Sequence, residues 1–232
     1  MSEPVTVVTG SRKGIGRFLA ERYLSLGHRV VGCSRTDTDL VSDAYEHHSL
    51  DVSHEDAVAK FFAAVRKRHG RLDHLVNAAG IASMNHSVLT SGATFRRIFE
   101  VNVFGTFYCS REAAKIMQRH RYGRIVNFGS MAVPLKLAGE AAYAASKAAI
   151  VSLSEVMARE LAPFEITVNV VAPNAIDTDL IAGVPAERIE ALRQRLAIAR
   201  APRLEELGAI VDFFLSPSSS MVTGQTVYMG GP

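Results

Sequence analysis

The stretch from Val5 to Ser34 constrains this chain more than any other. Val5-Thr-Val-Val-Thr9 is a β-branched run of the kind buried on both faces of a parallel sheet. It leads into Gly10-Ser-Arg-Lys-Gly14-Ile-Gly16, followed by a helical stripe of Ile15, Leu19, Tyr23 and Leu26 that closes at Gly27. Arg29-Val-Val-Gly-Cys-Ser34 reads as a second strand. Parallel strands need a crossover connection, so strand, glycine turn, helix and strand in this order predict a βαβ unit. The glycines have separable jobs: Gly10 permits the tight turn, Gly14 lets backbone approach a pyrophosphate, and Gly16 allows helix and strand to pack closely. Gly10, Ser11, Arg12, Lys13, Gly14, Ile15 and Gly16 form the candidate phosphate cradle, with the positive end of the helix dipole behind it. A glycine-rich turn alone says little; its place between strand and helix favours a nucleotide site.

The second strand ends at Ser34-Arg35. NAD-selective sites carry an acid there for the ribose hydroxyls, whereas an arginine accommodates a 2′-phosphate. Arg35, with Lys13 as a second cation, therefore favours NADPH/NADP+. The bland alternative, that both are solvated surface charges, stays open, and Asp37 lies close by.

Strand and helix patterns continue to alternate. His48-Ser-Leu-Asp51-Val52 reads as a third strand, Glu55 to His69 as an amphipathic helix stopped by Gly70, and Leu72 to Asn77 as a fourth strand broken by Ala78-Ala79-Gly80. A loop precedes one long helix over 95–121, in which Asn102 and Gly105 interrupt the pattern. Asn102 is either a satisfied core amide or one that kinks the helix to hold a water. Strands follow over Arg124–Phe128, Glu165–Val171 and Gln225–Met229, with helices over Tyr143–Leu161, Ala186–Ile198 and Leu204–Leu215. The fold expected is a single-domain α/β, Rossmann-type, doubly wound parallel sheet of about seven strands with helices on both faces. No linker or repeat divides residues 1–232. The irregular piece over 174–202 is expected to be a substrate lid.

The chemistry concentrates after the fifth strand. Tyr143 and Lys147 are four apart at the start of an Ala-rich helix and so share a face. A nearby cation favours phenolate, so Lys147 is expected to lower the Tyr143 pKa toward neutrality. Such a tyrosine is a competent acid or base for interconverting alcohol and ketone. Ser130 ends the fifth strand and can hydrogen-bond the same substrate oxygen. A Tyr-x-x-x-Lys pair arises often from composition alone, so its weight comes from the unit that precedes it.

Composition mainly excludes. The chain is 48% hydrophobic and 21% charged, and its net charge of +3 does not by itself argue for nucleic acid. Cys33 and Cys109 are far apart in sequence and in no Cys-x-x-Cys pattern, and none of the eight His falls in a metal-ligand spacing, so no metal site is expected. His47-His48 reads as solvated loop. No apolar run approaches a transmembrane length, and the N-terminus runs straight into a strand, so the expectation is a reduced, cytoplasmic protein with neither membrane nor nucleic-acid partner.

The order of motifs resembles the short-chain dehydrogenase/reductase family, closest in flavour to its 3-oxoacyl-[acyl-carrier-protein] reductases. The motifs are Thr9 to Gly16, Asp51-Val52, Asn77-Ala-Ala-Gly80, Asn102, Ser130, Tyr143-Ala-Ala-Ser-Lys147 and Pro173-Asn-Ala-Ile-Asp-Thr178. The resemblance implies a catalytic tetrad of Asn102, Ser130, Tyr143 and Lys147, with Lys147 also binding the nicotinamide ribose. It implies adenine contacts from Asp51 and Val52, and a cofactor wall of Asn77, Ala78, Ala79 and Gly80. Pro173, Asn174, Ile176 and Thr178 would lie at the nicotinamide end. The implied reaction reduces a ketone or acyl thioester, and the implied assembly is a homotetramer or homodimer through the helices at 95–121 and 143–161. Arg119, Arg121 and Arg124 could dock an acidic acyl carrier protein, with a solvated helix end as the alternative. Asn174 departs from the glycine usual after the proline, and Ala78 from a common second asparagine.

Overall fold

The computed structural model describes residues 3–176 and 186–231. Seven strands form one all-parallel sheet in the order β3-β2-β1-β4-β5-β6-β7. They are β1 (Val5–Thr9), β2 (Arg29–Ser34), β3 (Tyr45–Ser49), β4 (His74–Asn77), β5 (Gly123–Phe128), β6 (Ile166–Ala172) and β7 (Thr226–Tyr228). The expected doubly wound sheet is therefore present, with its strand order reversing between β1 and β4. The inner strands are β-branched and buried on both faces, and β6 is buried at every position. The edges are blunted: β7 has three residues, and β3 is polar (Tyr45-Glu-His-His-Ser49).

Helices α1 (Gly14–Ser25) and α8 (Leu204–Leu215) cover one face, where Leu19, Tyr23, Leu207, Val211 and Phe214 meet Val8, Val76 and Val126. On the other face lie α2 (Glu55–His69), α4 (Gly105–Met117) and α6 (Ala141–Leu161), where Phe61, Phe62, Met117 and Met157 meet Val7, Leu75 and Ile125. Short helices α3 (Gly92–Phe99), α5 (Ala132–Leu135) and α7 (Ala186–Arg193) complete the chain. Helix α2 has acids in its first turn, bases in its last, and Gly70 beyond it at φ 72°, so dipole and stop signal agree with the sequence.

Several expected elements shift. The third strand is Tyr45–Ser49 rather than 48–52, so His47 and His48 are strand residues, not solvated loop. Leu26 is 55% exposed rather than part of the buried stripe, because α1 has ended at Ser25. The long helix over 95–121 is two helices, α3 and α4, joined by a π-helical turn at Glu100–Phe104. The helix expected over 186–198 stops at Arg193. Cys33 and Cys109, distant in sequence, are free thiols buried in the same core cluster.

Register levels the functional ends. Thr9 is opposite both Cys33 and Asn77, and Asn77 is opposite Asn127. The turns after β1, β4 and β5 thus open together on one crevice, the usual ligand position in open α/β sheets.

Candidate active site

The glycine turn fits phosphate. Gly10 (φ 71°) and Gly14 (φ 59°) occupy left-handed backbone, and a Cβ on Gly16 would lie 2.3 Å from the Gly10 carbonyl oxygen. Gly16 thus serves contact between turn and helix. Lys13 precedes α1 without a side-chain hydrogen bond to the helix end, leaving those N–H groups uncapped by it. Arg12, Lys13 and Arg35 are exposed at the rim.

Ser11 does something else. It is fully buried, and its Oγ meets the Tyr45 hydroxyl at 3.0 Å. The Tyr45 hydroxyl contacts His47 Nδ1 at 2.9 Å, and His47 Nε2 reaches Ser34 Oγ at 3.0 Å and the Thr36 carbonyl at 3.1 Å. This relay ties the glycine turn to the Ser34–Thr36 turn. Gly32 makes room for it, since a Cβ there would be 2.2 Å from the Tyr45 hydroxyl. Tyr45 and His47 were missed in sequence reasoning; only a correct strand register would have aimed them at Ser11.

Asp51 ties its own turn to Arg97. Its carboxylate accepts from Ser53 N (3.0 Å) and Oγ (2.7 Å) and from Arg97 (2.6 Å). Burial opposes ionisation, yet these bonds and the Arg97 charge pull its pKa down to about 2. Val52 is core, and Gly105 lets α4 approach it: a Cβ on Gly105 would be 2.7 Å from Val52. Asn77 points into the α4 layer, donating to Ser110 Oγ (2.9 Å) and Asn127 Oδ1 (2.8 Å), while its buried Oδ1 has no hydrogen-bond partner among the described residues. Ala78 and Ala79 follow, with Ala79 N donating to Thr9 Oγ1 at 3.1 Å.

Around Ser130 the geometry is stitched by backbone. Gly129 N donates to the Val171 carbonyl and Met131 N to that of Pro173, so β6 fixes the turn that carries the serine. Ser130 Oγ accepts from Ala132 N at 3.1 Å, the start of the unforeseen α5, and its hydroxyl lies close enough to that of Tyr143 to oppose the rise in the phenol's pKa. Lys147 is buried and donates from Nζ to the Phe128 carbonyl at 2.9 Å. Gly80 brings the groups together: its Cβ would sit 3.4 Å from Asn102 Oδ1 and 3.7 Å from Lys147 Nζ.

Asn102 resolves as a satisfied amide that serves as a clamp. Its Nδ2 donates to the Ile81 carbonyl (2.9 Å) and Ser146 Oγ (3.0 Å), and its Oδ1 accepts from Ile81 N (2.9 Å). Both amide hydrogens are used inside the protein, so they are not free to hold a water. The clamp holds the loop after β4 against α6, and the π turn marks where helix regularity yields to it.

The expected pKa direction is reversed. Burial pushes the Tyr143 phenol up to about 12, opposed by the Ser130 hydroxyl and reinforced by the Glu140 charge. Burial pushes Lys147 down to about 8. The ammonium lies over the tyrosine ring, 5.7 Å from its centre, so in this arrangement it does not stabilise phenolate through its hydroxyl.

Beyond β6, Pro173 is half-buried and the Ile176 side chain is buried against Val8, Phe214 and Met229. Asn174 has no left-handed backbone, so no glycine is required there; its Nδ2 donates to the Arg200 carbonyl at 3.1 Å. Thr178 and part of the expected lid lie outside the described residues. The arginine trio is dispersed: Arg124 is buried with bonds to the Gly123 and Glu165 carbonyls, Arg121 pairs with Glu165, and Arg119 is exposed. All three precede or open β5, at the opposite end of the strand from Ser130. Among the described residues no cluster of metal-ligating side chains occurs, and no helix is long and apolar enough to cross a membrane.

Comparison with known proteins agrees with this geometry. A family model described as Enoyl-(Acyl carrier protein) reductase matches residues 10–231. The 3-oxoacyl-[acyl-carrier-protein] reductase FabG of Vibrio cholerae is 31% identical over 98% of this chain and 96% of its own. Among solved structures, Thermoplasma acidophilum aldohexose dehydrogenase is 33% identical with a TM-score of 0.89, covering 99% of this chain and 93% of its own. ElxO, solved with NADP bound, is 26% identical with a TM-score of 0.90, covering 98% and 97%. With the doubly wound sheet, the glycine turn and the Ser130–Tyr143–Lys147 grouping already in place, these matches show that the chain belongs to the short-chain dehydrogenase/reductase family of oxidoreductases.

Proposed function

We propose that this protein is an NADPH-dependent reductase that converts a ketone to a secondary alcohol, with a 3-oxoacyl thioester carried on acyl carrier protein as its first substrate class. The observation that carries the reading is the Ser130–Tyr143 hydroxyl pair beside buried Lys147, at the mouth of a crevice whose glycine turn fits a dinucleotide. The bound NADP of ElxO supports the cofactor, and FabG supports the substrate class. The candidate binding residues run from Gly10 to Gly16, with Ser34 and Arg35 toward the 2′-phosphate and Lys147 toward the nicotinamide ribose.

When bound, NADPH supplies the hydride. Ser130 holds the carbonyl oxygen, and Tyr143, protonated at neutral pH because burial raises its pKa, gives that oxygen its proton. Lys147, whose proton is loosened by burial, is the nearby group from which that proton is replaced in this scheme. Asn102 keeps the loop after β4 and helix α6 in register and is a positioning residue in this scheme. The proposal includes a reducing, cytoplasmic setting, which two buried free cysteines fit, and a dimer or tetramer through α4 and α6, where Phe104 just before α4 and Val156 on α6 are half-exposed.

Initial rates of NADPH and NADH oxidation with a 3-oxoacyl thioester test the reading. Tyr143→Phe should keep NADPH affinity and lose about 10²–10⁴-fold in turnover; wild-type rates in that variant overturn the mechanism. The 33% identical aldohexose dehydrogenase favours a second reading, a free hydroxylated carbonyl substrate. Salt-sensitive binding of acyl carrier protein separates the two.

A further inference from the structure

Strand β3 shapes the rim of the crevice through one of its faces. Side chains alternate along a strand, so Tyr45, His47 and Ser49 share a face, and each holds a different piece of that rim. Tyr45 meets Ser11 in the glycine turn. His47 Nε2 meets the Ser34–Thr36 turn, 3.0 Å from Ser34 Oγ and 3.1 Å from the Thr36 carbonyl. Ser49 donates to the Asp37 carboxylate at 2.6 Å. Farther on, Arg17 of α1 donates to Thr38 Oγ1 at 3.2 Å and pairs with Asp39. The chain from Ser34 to Asp39 is thus tied down from two elements, and the exposed Arg35 side chain enters none of these bonds.

The Thr36 carbonyl can only accept, and this fixes the direction of the network. The Ser34 hydroxyl donates to that carbonyl at 2.6 Å, which leaves Ser34 Oγ to accept. His47 Nε2 must therefore carry the proton that serves both. In the neutral ring Nδ1 then accepts from the Tyr45 hydroxyl. One nitrogen holds the two residues that flank Arg35, and the other holds the residue anchored to the glycine turn. Protection of a sheet edge does not call for this, since it needs polar groups facing solvent and not an imidazole bridging two turns.

A guanidinium recognises phosphate by presenting its fork in a set geometry, and a loose turn adds an ordering cost when the ligand arrives. We propose that His47 is a positioning residue for cofactor selection, pinning the backbone on both sides of Arg35 so that this arginine is presented to the 2′-phosphate of NADPH. The inference rests on the NADPH reading, with Arg35 toward the 2′-phosphate, and names the residue that makes Arg35 effective. Ser49 works in the same sense by holding to β3 the Asp37 carboxylate, a charge that would repel phosphate.

The test measures binding to the free enzyme by calorimetry for two pairs, NADPH against NADH and adenosine 2′,5′-bisphosphate against AMP. The affinity ratio within each pair isolates the 2′-phosphate and needs no ketone. Arg35→Ala should lower both ratios about 10–100-fold. His47→Ala should lower them about 3–10-fold through weaker binding of the phosphorylated member, and NADH affinity held within about twofold shows that the variant is folded. His47→Gln should restore most of the loss, because an amide can still donate to the turn and accept from Tyr45. Since His47 acts through Arg35, adding His47→Ala to Arg35→Ala should change the ratios by less than about twofold. Wild-type ratios in His47→Ala, a Gln variant no better than Ala, or an undiminished His47 effect without Arg35 overturns the positioning role and leaves the cofactor reading intact. Wild-type ratios in Arg35→Ala, or a wild type that binds NADH as tightly as NADPH, overturn the reading of Arg35 and the inference with it.

Discussion

Charges at the N-terminal end of the sheet are paired, whereas two groups beside Tyr143 at the other end are not. At the N-terminal end, Asp73 is buried but fully partnered: its carboxylate accepts from Val5 N at 2.8 Å and from Arg71 Nε at 3.0 Å. Asp212 on α8 likewise takes Arg22 Nε at 3.0 Å and the Tyr23 hydroxyl at 3.0 Å, tying α8 to α1. At the C-terminal end, Lys147 and Glu140 are each shifted by desolvation alone, toward their neutral forms, with no counter-charge beside either. A fold that pairs its charges at one end can do so at the other. That it leaves a buried ammonium and a half-buried carboxyl without counter-ions around Tyr143 fits an end built for a ligand rather than for stability.

The sharpest way to break the comparison is at the paired end. Asp73→Ala removes the acceptor for a buried Val5 N–H and strands Arg71, so unfolding in urea should show a loss of about 3 kcal/mol. Turnover per folded molecule should not change, because Asp73 lies at the far end of β4 from the crevice. A loss below 1 kcal/mol would mean that the pairing there is incidental.

At the unpaired end the expected sign is opposite. The Lys147 ammonium is held at about 8 in the folded chain against 10.5 unfolded. Below pH 8 both states carry the proton, and the desolvation cost is fully present. Between pH 8 and 10.5 the unfolded chain binds more protons, so the lysine's destabilising contribution fades as pH rises. Lys147→Met should therefore be inactive yet as stable as wild type or more so at pH 7, by up to ~3 kcal/mol. That difference should shrink from pH 8 to 10.5. Thermal unfolding of both proteins across this range checks it, and a difference that does not vary with pH contradicts the burial account.

This contrast explains what could be read beforehand. Sheet, element order, glycine turn and the Ser130, Tyr143 and Lys147 positions were legible because each depends on local pattern: β-branched runs, helix stops such as Gly70, and the four-residue spacing of Tyr143 and Lys147. What escaped depends on contacts across the fold. Spacing alone suggested that Lys147 would lower the Tyr143 pKa; burial, which only the packed structure reveals, outweighs it. Spacing showed Ser11 only as part of the glycine turn; β3 register adds the Tyr45 hydroxyl to its side chain and His47 behind that. Asn102 offered two readings because its partners, Ile81 and Ser146, are distant in sequence. Glu140 gave no signal, since a carboxylate before a helix normally reads as a solvated cap.

Asn174 tests the smallest difference between the ends, because it is half-paired: its Nδ2 reaches the Arg200 carbonyl while its buried Oδ1 has no hydrogen-bond partner among the described residues. Asn174→Gly loses the tether but also removes the unsatisfied oxygen. The two effects oppose, and glycine adds unfolded-state entropy, so net destabilisation should stay near or below about 1 kcal/mol. The tether is what pins Arg200 to the end of β6, so its loss should speed amide hydrogen exchange around residues 198–202 while leaving β6 protected. Unchanged exchange there would mean that the Ile198 bond to the Gly230 carbonyl, at 2.9 Å, holds the segment by itself. Asn174 would then be a filler of the turn and not a support for the crevice.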